Sequence, residues 1–240
     1  MLVAAAVCPC PPLLVPEVAA GAAPELDTLR AACADALGIL AAARPTRLLV
    51  IGAASDAASS EAVRHPEGAT GTFRGYGLPL DVRLGRAGGS GQGVPLPPSL
   101  TVAASLLTAA GWTTCPVDGL SVGAARQSAD CLETGRTAVA GAGRTALLVM
   151  GDGSASRTVK APGYLDDRAE PFDSEAARAL RTADPQALAA LDADLARDLH
   201  ATGRAPWQVL SGAASGAGLR GELLYEEAPY GVGYFVAVWS

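Results

Sequence analysis

The chain has 240 residues, half of them hydrophobic, and a formal net charge of −6. That length fits one large domain or two small ones and can bury a full core. The acidic balance and the single lysine, Lys160, argue against nucleic acid as a main partner, and no apolar run reaches the roughly 18 residues of a membrane span.

The first residues, Met1 to Cys8, are apolar with no basic segment ahead of them. They read as a first strand, 2–8, of a cytoplasmic protein rather than as a signal peptide. Pro9, Pro11, Pro12 and Pro16 predict an extended, non-helical loop. Pro24-Glu-Leu-Asp opens a helix with acids in its first turn, and Leu26, Leu29, Cys33, Leu37 and Leu40 keep its period to about Arg44. Arg47-Leu-Leu-Val-Ile-Gly52 is a second buried strand. Strand, helix and strand at this spacing predict parallel pairing of 2–8 with 47–52.

Residues 71–85 read as two short antiparallel strands, and the Gly/Pro/Ser-rich stretch 85–98 as a surface loop. A helix is predicted over Ser99 to Ala110, capped by Ser99 and stopped by Gly111. A short strand over 113–117 and a helix over 124–140 follow. Thr145-Ala-Leu-Leu-Val-Met150 then runs into a Gly-Asp-Gly-Ser turn. An apolar run between turn signals is a strand buried on both faces, so 145–150 belongs inside the sheet. In open α/β sheets the ligand site lies beyond the carboxyl ends of the strands. Asp152 and Ser154 stand there and are the candidate catalytic residues.

The loop from Ser154 to Phe172 is too long for a plain connector. Asp173-Ser-Glu is expected to start a helix. Asp184-Pro185 caps another, running to about Thr202 with Leu188, Leu191, Leu195 and Leu199 on one face. A helix over 205–214 precedes two last strands, 219–225 and 231–239, joined by Glu226-Glu-Ala-Pro-Tyr-Gly. With no repeat and no composition break, residues 1–240 form a single domain.

Several residue types in this order can carry chemistry. Cys8 and Cys10 follow the first strand; in an extended chain they share a face, and in polyproline II geometry they diverge. Two thiolates on one side would suit a soft metal, and two buried thiols without a ligand are the other reading. Cys33 and Cys131 read as small core residues. His65 and His200 are the only histidines, which rules out a three-histidine zinc site. His200 ends a helix, where a cation suits the dipole. His65 is either a surface residue or a metal ligand. Glu226 and Glu227 are either a solvated pair at a turn or a source of a ligand or general base. Asp152 either serves a site or holds its own turn through an Asx-type bond. Ser154 has no histidine beside it, so a Ser-His-Asp hydrolase is unsupported.

Four segments, in order, resemble the catalytic B-subunit family of class III extradiol ring-cleavage dioxygenases and its Memo-like relatives. Cys10-Pro-Pro-Leu-Leu-Val-Pro-Glu17 resembles the family's first loop, and Gly151-Asp-Gly-Ser154 its central turn. Ala161-Pro-Gly-Tyr with Ala169-Glu-Pro-Phe-Asp173 resembles the segment that follows. Tyr225-Glu-Glu-Ala-Pro-Tyr-Gly-Val-Gly-Tyr-Phe-Val-Ala237 resembles the closing strand pair. The resemblance implies a three-layer α/β/α sandwich on a mostly parallel, mixed central sheet. It also implies Fe(II) held by two histidines and a glutamate, with a further histidine as acid/base in the O₂-dependent opening of catechols.

This chain departs from that pattern. Cys10 stands where the first-loop ligand histidine belongs, Ser55 and Asp56 follow the second strand, and Ala155 follows Ser154 in place of the acid/base histidine. A glutamate, 226 or 227, remains. The expectation is an eroded iron site that binds a small molecule or a partner in the inherited cleft, with no cofactor specified and a homo-oligomer allowed. The alternative is a metal-dependent oxidoreductase on an aromatic substrate, with a site rewired from Cys10, Cys8 or His65, and Glu226 or Glu227. Such a sulfur-bearing site would prefer zinc or copper to iron.

Overall fold

A computed structural model describes residues 1–86, 94–141 and 143–240. Most of the expected loop over 85–98 lies outside the described residues. In chain order the elements are β1 (Leu2–Cys8), α1 (Pro16–Ala19), α2 (Asp27–Ala42), β2 (Arg47–Ala53), β3 (Ala62–His65), β4 (Thr70–Thr72) and β5 (Asp81–Arg83). Then come α3 (Pro98–Ala109), β6 (Val117–Val122), α4 (Ser128–Val139), β7 (Thr145–Met150), α5 (Ala169–Arg181), α6 (Pro185–Ala189), α7 (Ala193–Asp198) and α8 (Arg204–Ala214). Strands β8 (Gly221–Glu227) and β9 (Tyr234–Trp239) close the chain.

Seven strands form one sheet in the order β3-β6-β2-β7-β1-β9-β8, and β4 pairs with β5 in a separate ribbon. The four middle strands are parallel, and antiparallel pairs flank them on both sides. Alternate residues of each strand enter different cores, as the two-residue period requires. Ala4, Ala6, Cys8, Leu148 and Met150 pack under α2 and α3. Ala5, Val7, Leu147 and Val149 pack with Phe172, Trp207 and Leu210 from α5 and α8. Two cores separated by one sheet make the fold the three-layer α/β/α sandwich that the family resemblance implies.

One pairing differs. Residues 2–8 and 47–52 run parallel in one sheet but do not touch, because β7 is inserted between them: Val7 pairs with Val149, and Ile51 with the same residue from the other side. The strand-helix-strand spacing fixes direction, and it leaves open a third strand entering later.

Local boundaries also shift. The proline loop after β1 is not fully extended: Pro12–Leu14 forms a 3-10 turn and Pro16–Ala19 one α-helical turn. Proline is tolerated at both first positions, where its missing N–H costs nothing. Ser99 lies inside α3 and donates to the Ala53 carbonyl at 2.7 Å instead of capping the helix. The predicted strand 113–117 starts only at Val117. The helix predicted over 185–202 is broken in two, because the Asp192 carboxylate accepts from the Asp194 and Leu195 amides and starts a new helix. Helix α5 begins at Ala169, so Asp173 sits one turn inside it.

Candidate functional site

The sheet has a switch point between β1 and β7. After β1 the chain crosses through α2 over one face; after β7 it leaves through α5 over the other. A crevice opens at the carboxyl ends of two adjacent strands whose connections part in this way. Cys8 and Met150 are paired at those ends, and the Gly151 amide extends the ladder by donating to the Cys8 carbonyl at 3.0 Å.

Beyond the ladder, one carboxylate ties the two chain ends together. The Cys10 amide donates to Asp152 Oδ1 at 2.8 Å, and the Cys10 thiol lies 3.8 Å from Oδ2. The turn presenting Asp152 is fixed on its other side by the segment after α7. The Asp152 amide donates to Thr202 Oγ1 at 3.3 Å, and the Gly203 amide donates to the Asp152 carbonyl at 2.8 Å. The flanking glycines are required by close approach: a Cβ on Gly151 would sit 2.4 Å from Gly203 Cα, and one on Gly153 2.7 Å from an Asp173 oxygen.

Burial pushes the Asp152 carboxyl up to about 6, against the opposing pull of the two Cys10 hydrogen bonds. Burial, followed by the nearby Asp152 charge, holds the Cys10 thiol well above its ordinary range. Tyr234, at the start of antiparallel β9, brings its phenol to the same end of the sheet. Burial raises it, and so do Asp152 and Cys10, in that order. Tyr76, from the 3-10 turn Arg74–Tyr76, feels Cys10 as well and is 47% exposed, so it stands at the rim.

Asp152 and Cys10, two of the residues singled out in the sequence, are thus brought together. The two glutamates part company. Glu227 opposes Tyr234 across the β8–β9 ladder and accepts from the Tyr225 hydroxyl at 3.0 Å, which helps burial hold that phenol up at about 12. Glu226 points to the other face and pairs with Arg181 of α5 at 2.7 Å. Successive strand residues face opposite ways, so the pair cannot serve one centre.

Cys8 shares the core face of Cys10, but it is sealed and lies against Cys33. That contact, then burial, raises its thiol well above the ordinary range.

Ser154, the other candidate catalytic residue, is engaged with Asp173 rather than with Asp152 and Cys10. It is fully buried, its hydroxyl donates to Asp173 Oδ2 at 2.8 Å, and its amide donates to Oδ1 at 2.7 Å. Arg157 completes the arrangement at 3.1 Å. His65 is likewise removed from any grouping with Cys10. It lies on edge strand β3, four strand positions from β1, or roughly 19 Å at the usual inter-strand spacing. Both ring nitrogens are already engaged, with Ser121 Oγ at 3.0 Å and the Val94 carbonyl at 3.3 Å.

Sequence reasoning missed Tyr234 and Asp173. Tyr234 lies in an apolar strand that reads as core; the signal was its position opposite Glu227, on the face of Tyr225. Asp173 looks like a helix cap because a helix pattern follows it.

The donor set does not fit a non-haem iron centre. No histidine reaches Asp152, and among the described residues no group of three or more His, Cys, Asp or Glu side chains is placed to hold a metal ion. A cavity of about 670 Å³ opens at the opposite end of the sheet, where Trp239 ends β9; its walls include Thr182, Pro185, Ser215 and Leu219. Its charged groups, Arg178 and Asp184, already pair with each other. No helix among the described residues is long and apolar enough to cross a membrane.

The fold and site together define an α/β/α sandwich with a carboxylate, a thiol and phenols at its switch point. No family model matches the chain, and a search of curated proteins found no match. Among solved structures it is similar to the crystal structure of the uncharacterized protein JW3007 from Escherichia coli K12. Identity is 14%, the TM-score is 0.56, and 99% of each chain is covered. That likeness is one of fold.

Proposed function

We propose that the chain is a member of the class III extradiol dioxygenase B-subunit family with an eroded iron site, and that it binds a small molecule at the β1–β7–β9 end of the sheet without ordinary ring cleavage. One observation carries this reading. Cys10, at the position of the first-loop ligand histidine, directs both its amide and its thiol at Asp152. The crevice carboxylate is therefore engaged by an amide and a thiol, and among the described residues no histidine or second carboxylate joins it to complete a metal's ligand set. Extradiol cleavage needs a metal that takes both catecholate and O₂, and a placed proton carrier. The position after Ser154 is a buried alanine, Ala155, which carries no proton.

The rewired-site alternative has less support. Of its five residues, His65 and Glu226 are directed elsewhere. Cys8 and Cys10 are held as thiols by burial and their neighbours, whereas a metal needs thiolates. The reading is tested by O₂ uptake with catechol and substituted catechols after addition of Fe(II) under reducing conditions. No catechol-dependent uptake above free iron is expected; uptake in proportion to protein would contradict it.

A further inference from the structure

The crevice holds a carboxylate with no cationic partner among the described residues. Both Asp152 oxygens take their hydrogen bonds from Cys10, a neutral residue, and the carboxylate charge also reaches the Tyr234 phenol. Lys160 and the arginines take no part in it. Arginines of the surrounding elements have carboxylates of their own: Arg74 pairs with Asp81, Arg181 with Glu226, and Arg157 with Asp173. A charge so placed is costly unless something of opposite sign completes it.

A second, independent feature points the same way. Tyr234 is 3% exposed, and among the described residues nothing hydrogen-bonds its hydroxyl. The buried unpaired polar atoms that are sealed from solvent are Arg30 Nη1, Arg126 Nε and Trp207 Nε1, and the Tyr234 oxygen is not one of them. It therefore opens to solvent at the end of the sheet where Asp152 stands. A buried tyrosine normally finds a partner for its hydroxyl. Here the partner must come from outside.

From these two features we infer that Asp152 and Tyr234 bind a primary ammonium group carried on an aromatic body. This deepens the small-molecule reading above and rests on it. The ammonium supplies N–H donors to the carboxylate and to the phenol oxygen, and its charge offsets that of Asp152. An anion would be repelled by Asp152, and also by Glu227 opposite Tyr234. A neutral hydroxyl ligand would leave the carboxylate uncompensated. A divalent metal lacks its third protein ligand among the described residues. The half-exposed Tyr76 ring at the rim, within electrostatic reach of Cys10, gives an aromatic or cationic body a face to lie on.

The test is a titration of the full chain, followed by NMR or calorimetry in chelator-treated buffer at pH 7.5, with three probes of one shape. These are phenethylamine, the neutral 2-phenylethanol and the anionic 3-phenylpropionate. Phenethylamine should bind about ten-fold or more tightly than the alcohol, as expected of charge-assisted hydrogen bonds, and the carboxylate should not saturate. The near-isosteric Asp152→Asn variant should lose about ten-fold in amine affinity, and Tyr234→Phe about three-fold, with their folded state checked by circular dichroism. Were Asp152→Asn not to fold, Tyr234→Phe alone would carry the test. Equal binding of amine and alcohol, no amine binding, or unchanged affinity in the folded variants would overturn the inference. Any of these leaves the eroded-site reading standing, since that reading is tested separately, by bound iron and by iron-dependent catechol turnover.

Discussion

Asp152 is held in a place where its charge is unwelcome, and this makes it measurable. Its carboxyl ionises at about 6 in the folded chain against an ordinary value of 3.8. A group raised in this way contributes stability that is full below about pH 4 and is lost as the pH rises through 6. The gap of about two pH units corresponds to about 3 kcal/mol. Asp152→Asn should therefore be more stable than the parent by up to about 3 kcal/mol at pH 7.5 and equal to it near pH 4. Urea midpoints at the two pH values check this, and parallel pH dependences in the two proteins would contradict it. Asp173 should behave in the opposite sense to mutation. It is 1% exposed and accepts from Ser154 twice and from Arg157. Asp173→Ala strands those donors and should cost about 3 kcal/mol, the lower end for a broken buried pair because Arg157 is partly exposed. A loss below about 1 kcal/mol, the range of surface ion pairs, would show that the arrangement is not structural. At this scale the sequence is legible only in part. Asp152 announces itself by ending a buried apolar run. Tyr234 does not, because a phenol in an apolar strand gives no sign that its hydroxyl lacks a partner.

Among the elements, α4 and α8 pack backbone against backbone. Gly135 and Gly212 are the contact points: a Cβ on Gly135 would lie 2.0 Å from the Val209 carbonyl oxygen, and one on Gly212 2.0 Å from that of Leu132. Both obstacles are backbone and cannot swing aside. Gly212→Ala or Gly135→Ala should thus destabilise by about 2 kcal/mol, overpacking outweighing the gain in helix propensity. Gly38 of α2 is the control. It is exposed, nothing lies within 4 Å of its missing Cβ, and Gly38→Ala should stabilise by about 0.5–1 kcal/mol. Thermal melts of the three variants measure the contrast, and Gly212→Ala stabilising as Gly38→Ala does would mean that the helices are not in contact there. Helix periodicity revealed α2 and α8 but gave no hint of which glycines mark a crossing, since that depends on a partner far along the chain. The break at Asp192 was legible in principle: an aspartate ahead of Ala-Asp-Leu is a cap, but the continuing leucine period masks it.

At the scale of the whole molecule, the layers follow from the strands. Continuous apolar runs at 2–8, 47–52 and 145–150 demand cover on both faces, and the helical patterns between them supply it. That reasoning reaches strands buried on both faces and the position of 145–150 within the sheet; the three-layer class is what the family resemblance implies. It does not reach strand order, because β7 arrives last among the parallel strands and takes the gap between β1 and β2. Nor does it place His65, whose short strand joins the far edge through β6. Strand order is also what assembles the crevice, by setting Cys10 and Asp152 side by side although 142 residues separate them. The proposal that this crevice has lost its iron is tested most directly by the metal content of protein purified anaerobically without a polyhistidine tag. The predicted result is iron far below one atom per chain, unchanged in Cys10→Ser. Iron near one atom per chain, released by Cys10→Ser or Asp152→Asn, would contradict it.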